Sequence, residues 1–200
     1  MKIVIATSNK NKIIEIRDKF SSVSGIEIIP LSQYENIPRI VEDSDSFKGN
    51  ALKKAEMIRD FTGEISLADD SGLVVDALNG EPGVYSARYG GEDASDVDRY
   101  NLILEKMKGI EEEKRTARFV CAIAMAFPDG RKFVTEGACE GMIFNGARGC
   151  NGFGYDPVFY VPELKLTMAE IELGEKNRIS HRAKALESAY KIFSGMNYAG

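Results

Sequence analysis

The chain has 200 residues, of which 44% are hydrophobic and 28% charged, a globular balance that argues against wholesale disorder and low-complexity behaviour. Its 26 Lys and Arg against 31 Asp and Glu leave a formal charge of −5, which argues against broad binding to duplex nucleic acid or anionic membrane. No apolar run approaches the roughly 18 residues needed to span a bilayer. Met1–Ala6 is too short for a signal-peptide core, and polar Thr7-Ser8-Asn9-Lys10 follows at once. Cys121, Cys139 and Cys150 are an odd number at wide spacing, with His181 as the only histidine, so structural zinc and a full disulfide framework are poor readings. A reduced, cytoplasmic protein is expected, with one domain over residues 1–200 as the default for this length.

In chain order, Lys2 to Ala6 reads as a buried first strand. Thr7 to Lys12 breaks it with polar residues, and Ile13, Ile16, Arg17 and Phe20 continue at helical spacing. Ile26 to Ile29 is a second strand, closed by Pro30. Residues 31–46 form a polar, acidic connection. Ser46 is placed to cap a helix from Phe47 to about Thr62, with Gly63 as its stop and Ala51, Ala55 and Ile58 as its apolar stripe. Ile65 to Ala68 and Leu73 to Val75 read as two short strands flanking a loop, Asp69-Asp70-Ser71-Gly72. Ser95 caps a helix to Met107. Residues 117–127 and 132–141 read as a hairpin around Pro128-Asp129-Gly130. A glycine-rich loop, residues 146–155, leads to an apolar run at Val158 to Val161, and Ala183, Leu186, Tyr190 and Phe193 mark a last helix. With no internal repeat and no linker, the pattern predicts an α/β or α+β domain with a mixed sheet.

Five groups of residues can carry chemistry. Thr7-Ser8-Asn9-Lys10-Asn11-Lys12, between a strand and a helix, offers hydroxyls, an amide, backbone N–H groups and lysines to a phosphate, without the spacing of a Walker A loop. A capped helix start with solvated lysines explains the same residues. Lys53 and Lys54 lie near the start of the second helix, where one lysine can reach a polyphosphate or both can simply be solvated. The acidic segment before that helix contributes Glu42, Asp43 and Asp45. Asp69 and Asp70 are adjacent carboxylates, costly together unless a cation or donors compensate. Oxygen ligands without a His or Cys cluster favour Mg²⁺, and one carboxylate can take a proton from water; a turn with both aspartates on backbone N–H groups is the alternative.

In Asn151-Gly152-Phe153-Gly154-Tyr155-Asp156-Pro157, glycines on both sides of an aromatic let a flat ligand stack on Phe153, with Asp156 placed to accept from a ring N–H. A tight turn with Phe153 in the core explains the same pattern. Lys176, Arg178, His181 and Arg182 gather potential cations ahead of the last helix, beside the sole histidine. Together the groups supply what a nucleoside triphosphate with Mg²⁺ requires. They do not separate hydrolysis from binding.

Six ordered blocks carry a resemblance over nearly the whole chain. They are Ile3 to Lys12, Ser46 to Ala51, Ala68 to Leu73, Pro82 to Tyr89, Gly152 to Pro157, and Ile179 to Arg182. In these the chain resembles the inosine triphosphate pyrophosphatase family, which removes non-standard purine nucleoside triphosphates. The resemblance implies hydrolysis of ITP, dITP and XTP between the α- and β-phosphates, giving a monophosphate and pyrophosphate. It implies an elongated mixed α/β fold of two lobes with a central cleft, and a homodimer.

Carried over by position, Thr7, Ser8, Asn9, Lys10, Asn11 and Lys12 would hold the phosphates, with Lys54 at a further phosphate-contacting position. Glu42, Asp69 and Asp70 would hold Mg²⁺, with Asp70 as the proton acceptor and Ser71 a substrate contact. Phe153, Gly154, Tyr155 and Asp156 would frame the base, and Lys176, His181 and Arg182 would contact the base or substrate edge. Asp43-Ser44 follows Glu42 where the family commonly has Thr-Gly. Two rivals are a related pyrophosphatase preferring pyrimidine triphosphates and a nucleotide-binding protein that does not hydrolyse. The Phe153 loop and Ser180-His181-Arg182 weigh against the first, and the Asp69-Asp70 pair against the second.

Overall fold

A computed structural model of the chain describes residues 1–21, 23 and 25–196. Its elements are β1 (Lys2–Ile5), α1 (Lys10–Phe20), β2 (Glu27–Pro30), α2 (Phe47–Thr62), β3 (Ile65–Val75) and α3 (Asp96–Lys106). They continue with β4 (Thr116–Ala126), β5 (Lys132–Ile143), β6 (Phe159–Val161), β7 (Leu166–Thr167), α4 (Leu173–Ile179) and α5 (His181–Gly195). The strands form a seven-stranded mixed sheet in the order β2-β1-β3-β4-β5-β6-β7. β1 is parallel to β2 and to β3, with Val4 opposite Ile29 and Ser66, whereas β6 is antiparallel to β5 and β7. The mixed α/β class expected from the pattern is the one found. Among the described residues no helix is long and apolar enough to cross a membrane.

The chain forms two compact units. The first comprises residues 1–70, 121–137 and the chain from Arg182; the second comprises residues 71–120 and 138–181.

Strand alternation organises the first unit. Ile3, Ile5, Ile65, Leu67, Cys121, Ile123 and Met125 pack with Ile16 and Phe20 of α1 and Ala185, Leu186, Ala189 and Phe193 of α5. Their sequence neighbours Val4, Ala6, Ala68, Ala122, Ala124 and Ala126 pack with Ala51, Ala55 and Ile58 of α2. Successive strand side chains point to opposite faces, so one set of strands serves both layers of helix. The alanines of β4 let α2 lie close to its face of the sheet. In the second unit, Leu73, Val75, Phe119, Cys139 and Ile143 from the strands pack with Ile103 and Met107 at the end of α3 and with Tyr155, Val158 and Phe159.

The caps follow the sequence closely. Ser46 Oγ accepts from Gly49 N–H at the start of α2, and Gly63 ends that helix at φ 71°, a conformation glycine adopts without steric cost. Ser95 and Asp98 form a reciprocal capping box on α3. Asn9 caps α1 by accepting from Asn11 and Lys12 N–H, so the helix starts at Lys10, inside the stretch read as loop.

Two further elements differ from expectation. Residues 65–75 form one uninterrupted strand, not two strands about a loop. The polar run Asp69-Asp70-Ser71-Gly72 stays extended because the two carboxylates find side-chain partners on neighbouring elements and do not bend the backbone toward its own N–H groups. Residues 173–179, read as approach to the last helix, form the separate helix α4.

Candidate active site

In the first unit, β1 delivers the chain to Thr7 and Ser8, and α1 begins at once. Asn9 N–H donates to Thr7 Oγ1 at 3.2 Å, and Asn9 Oδ1 accepts from Asn11 N–H at 2.9 Å and Lys12 N–H at 3.3 Å. No acidic residue lies in the first turn of α1, so the positive end of its dipole has no local anion. Ser8, Asn9, Lys10 and Asn11 are exposed there. The start of α1 is thus a capped helix terminus, the alternative reading of this segment, with Ser8, Lys10 and Asn11 left open to solvent.

Asp69 and Asp70 follow on β3 and turn to opposite faces of it. Asp69 is fully buried on the α1 and α5 side. Lys12 pairs with its Oδ1, while Oδ2 accepts from Arg182 Nε at 3.0 Å and Cys121 Sγ at 3.1 Å. Burial alone would raise its pKa, but the Lys12 and Arg182 charges outweigh burial and hold the carboxyl well below the usual range. Arg182 also donates through Nη1 to Glu15 at 2.8 Å.

Asp70 lies on the α2 side. Its Oδ2 accepts from Asn50 Nδ2 at 3.1 Å, and its Oδ1 lies 3.3 Å from Lys54 Nζ. Lys54 pairs in addition with Glu42. Asn50 and Lys54 are four residues apart on α2, hence on one face of the helix, which is why both reach the same carboxylate. Burial raises the Asp70 pKa, Lys54 opposes it, and the charge of Glu42 pushes it further up; the net shift is upward. Lys54 shifts the other way from its burial: desolvation would lower it, but Asp70 and Glu42 together keep it firmly protonated. A carboxylate with a raised pKa beside a fixed ammonium is the environment of a general base.

Mg²⁺ is usually held by one or two carboxylates together with substrate oxygens, not by an all-protein cage. Among the described residues no three His, Cys, Asp or Glu side chains gather as a metal site. Glu42 and Asp70 both pair with the Lys54 Nζ, so the cation they share here is an ammonium. Asp69, expected with them, stands apart. Its oxygens face Lys12 and Arg182, because adjacent residues of an extended strand cannot share a face.

In the second unit, Gly152 and Gly154 take φ of 76° and 64° around Phe153. A Cβ on Gly152 would lie 2.0 Å from Asp156 Oδ2, so glycine is required by close approach as well as by its backbone angle. Asp156 Oδ2 accepts from Phe153 N–H at 2.9 Å and pairs with Lys176, whose Nζ lies 5.1 Å from the Phe153 ring centroid. Asp156 thus holds the loop itself, a role not read from the sequence, where it was expected to accept from a base. Tyr155 is buried and its hydroxyl donates to the Ser86 carbonyl at 2.8 Å. Gly154 N–H donates to Asp96 at the start of α3, 2.8 Å away. His181 is buried and stacks on Phe119 with centroids 4.8 Å apart and planes 15° apart. Ser71, half-buried, lies on β3.

The predicted residues therefore fall into two groups. Thr7 to Lys12, Glu42, Lys54, Asp69, Asp70 and Arg182 belong to the first unit; Ser71, Phe153 to Asp156, Lys176 and His181 belong to the second. Arg182, grouped with His181 in the sequence reading, points its guanidinium at Asp69 and Glu15 and is 2% exposed. Sequence reasoning missed Asn50, Glu15, Cys121 and Asp96. Only Asn50 carried a local signal, its four-residue spacing from Lys54.

A profile of the Ham1 family matches residues 3–192. The dITP/XTP pyrophosphatase of Desulforamulus reducens is 47% identical over 97% of this chain and 96% of its own length. That of Shouchella clausii is 45% identical over 97% of both chains. Among solved structures, a HAM1 protein from Coxiella burnetii superposes with a TM-score of 0.91 at 39% identity, covering 98% of this chain and 100% of its own. The Staphylococcus aureus Ham1 protein gives 0.89 at 40% identity, over 98% and 99%.

Proposed function

The chain belongs to the Ham1 family, and we propose that it hydrolyses dITP, XTP and ITP to the monophosphate and pyrophosphate, removing these non-standard nucleotides from the pool. The names borne by its relatives support the substrate class. The observation that carries the chemistry is Asp70, a buried carboxyl with a raised pKa, one oxygen facing the Lys54 ammonium and the other an amide donor.

In this reading Glu42 and Asp70 would hold Mg²⁺, which when bound would supply positive charge against the phosphate oxygens. Asp70 takes the proton from the attacking water as the bond between the α- and β-phosphates breaks. Lys54 sits beside Asp70 and Glu42 and opposes charge that develops on the phosphates. The side chains of Thr7, Ser8, Asn9, Lys10 and Asn11 at the positive end of α1 receive the phosphate chain. Lys12 reaches phosphate from its place on Asp69, so Asp69 sets a lysine where the sequence reading gave it metal. Phe153 stacks on the base, with Gly154, Tyr155, Lys176 and His181 shaping its surroundings and Ser71 a further substrate contact. Arg182 serves by fixing Asp69. A cytoplasmic homodimer completes the proposal.

The test is a panel of ITP, dITP, XTP, dTTP and ATP, each with and without Mg²⁺, with products resolved by chromatography. The proposal expects monophosphate and pyrophosphate from the first three, with Mg²⁺ only. Preference for dTTP would favour the pyrimidine enzyme, and binding without products would favour a sensor.

A further inference from the structure

Asn50 is 1% exposed and has a defined task for each end of its amide. Its Oδ1 accepts from Ser44 N–H at 2.9 Å, and its Nδ2 donates to Asp70 Oδ2 at 3.1 Å. Rotating the amide would set oxygen against carboxylate and nitrogen against an N–H donor, so one orientation is strongly favoured. Ser44 lies two residues after Glu42, and its segment passes close over the start of α2. A Cβ on Gly49 would meet Ser44 Oγ at 2.0 Å and Ser44 Cβ at 2.8 Å. One turn along the helix from Asn50, Lys54 addresses the other oxygen of Asp70 and also Glu42.

We infer that Asn50 is a positioning residue for the reaction: it fixes the plane of the Asp70 carboxylate and ties it to the segment that carries Glu42. This rests on the reading of Asp70 as proton acceptor. With a donor on each oxygen, the carboxylate cannot turn about its last bond without losing one of them. Lys54 alone would leave that rotation open. Aspartate at position 50 would keep the acceptor for Ser44 N–H yet place a like charge against Asp70. Asparagine satisfies both neighbours at once.

The experiment compares Asn50→Ala, Asn50→Asp and Asp70→Asn with wild type. It measures kcat and KM for dITP, and binding of a non-hydrolysable α,β-methylene analogue by calorimetry. Losing a group that orients a catalytic one typically costs 10- to 100-fold. Both Asn50 variants should therefore lose about 10- to 100-fold in kcat, with KM and analogue binding within about threefold of wild type. Asn50→Ala removes the donor to Asp70 without adding charge, and Asn50→Asp removes it while keeping the tie to Ser44; normal turnover by either variant, with analogue binding kept, would overturn the inference. Should Asn50→Ala fail to fold, Asn50→Asp carries the decision. Turnover by Asp70→Asn would instead remove the base assignment. An inactive Asp70→Asn beside normal Asn50 variants would remove the role of Asn50 alone.

Discussion

Asp69 and Asp70 are neighbours in sequence and strangers in environment. Asp69 lies between Lys12 and Arg182 on one face of β3, and Asp70 between Asn50 and Lys54 on the other. One has its pKa driven down and the other has it driven up, so the two carboxylates cannot do the same work.

Asp70→Asn should fold and be nearly inactive, because an amide cannot take a proton from water. Loss of a general base costs roughly 10²- to 10⁴-fold in rate. Single-turnover kinetics with dITP and Mg²⁺ would measure it, and near-normal turnover would end the assignment.

Asp69→Asn should show itself in stability as well. It leaves the buried Arg182 guanidinium with Glu15 but without its second carboxylate, and Lys12 without its partner. Breaking a buried ion pair by removing one member costs about 3–5 kcal/mol. Urea unfolding at neutral pH would read the loss, and a midpoint unchanged from wild type would show that Asp69 contributes no net stability.

The pH dependence of stability follows from the same residue. The folded pKa of Asp69 lies below its ordinary value of 3.8, so its contribution is fully present above that value and is lost as pH falls below it. Asp70 has the opposite sign, since its raised pKa contributes stability below 3.8 that is lost as pH rises through its folded value. Wild type should therefore lose stability more steeply than Asp69→Asn on acidification below about pH 4, in urea midpoints taken across the acid range. Parallel curves would mean that Asp69 titrates alike in the folded and unfolded chain.

Lys12→Ala and Lys54→Ala should weaken turnover of every nucleoside triphosphate alike, because each is assigned to the phosphates that all of them share. The ratio of kcat/KM for ITP over ATP should stay within about threefold of wild type while each value falls. A changed ratio with undiminished ITP turnover would place these lysines elsewhere.

Arg182→Ala tests whether the arginine acts through Asp69 or on the base. Position beside His181 suggests the base, but the guanidinium bonds to Glu15 and Asp69. The expected outcome is lower stability and lower turnover on both ITP and ATP, with their ratio kept. Loss confined to ITP would mean that Arg182 reads the purine carbonyl.

Much of the scaffold was legible because its determinants are local. Ser46, Ser95 and Gly63 mark helix ends through hydrogen bonds and backbone angles set within a few residues, and they do so in the structure. The short apolar run of β1 and the turn residues Pro128-Asp129-Gly130 between β4 and β5 announced strands within a few residues. The Phe153 loop was readable as a loop from its glycines, and the structure adds that Gly152 and Gly154 take positive φ there. β3 was misread where its determinants are distant. Asp69-Asp70-Ser71-Gly72 has turn composition, and the partners that go with its extended course, in the sheet and on α1, α2 and α5, lie far away in the chain.

By itself the sequence determined which groups are available: phosphate donors ahead of α1, a lysine on α2, paired carboxylates, a glycine-flanked aromatic. Tertiary structure alone decided how they are divided. Arg182 meets Asp69 across 113 residues, and Asn50 meets Asp70 through the packing of α2 on its face of the sheet. The physical reason is one of range. Strand alternation sends adjacent side chains to opposite faces wherever a strand forms, but what waits on each face is set by helices packed from elsewhere in the chain. Cationic partners hold the Asp69 pKa down against its burial, whereas burial and the charge of Glu42 raise that of Asp70 against Lys54.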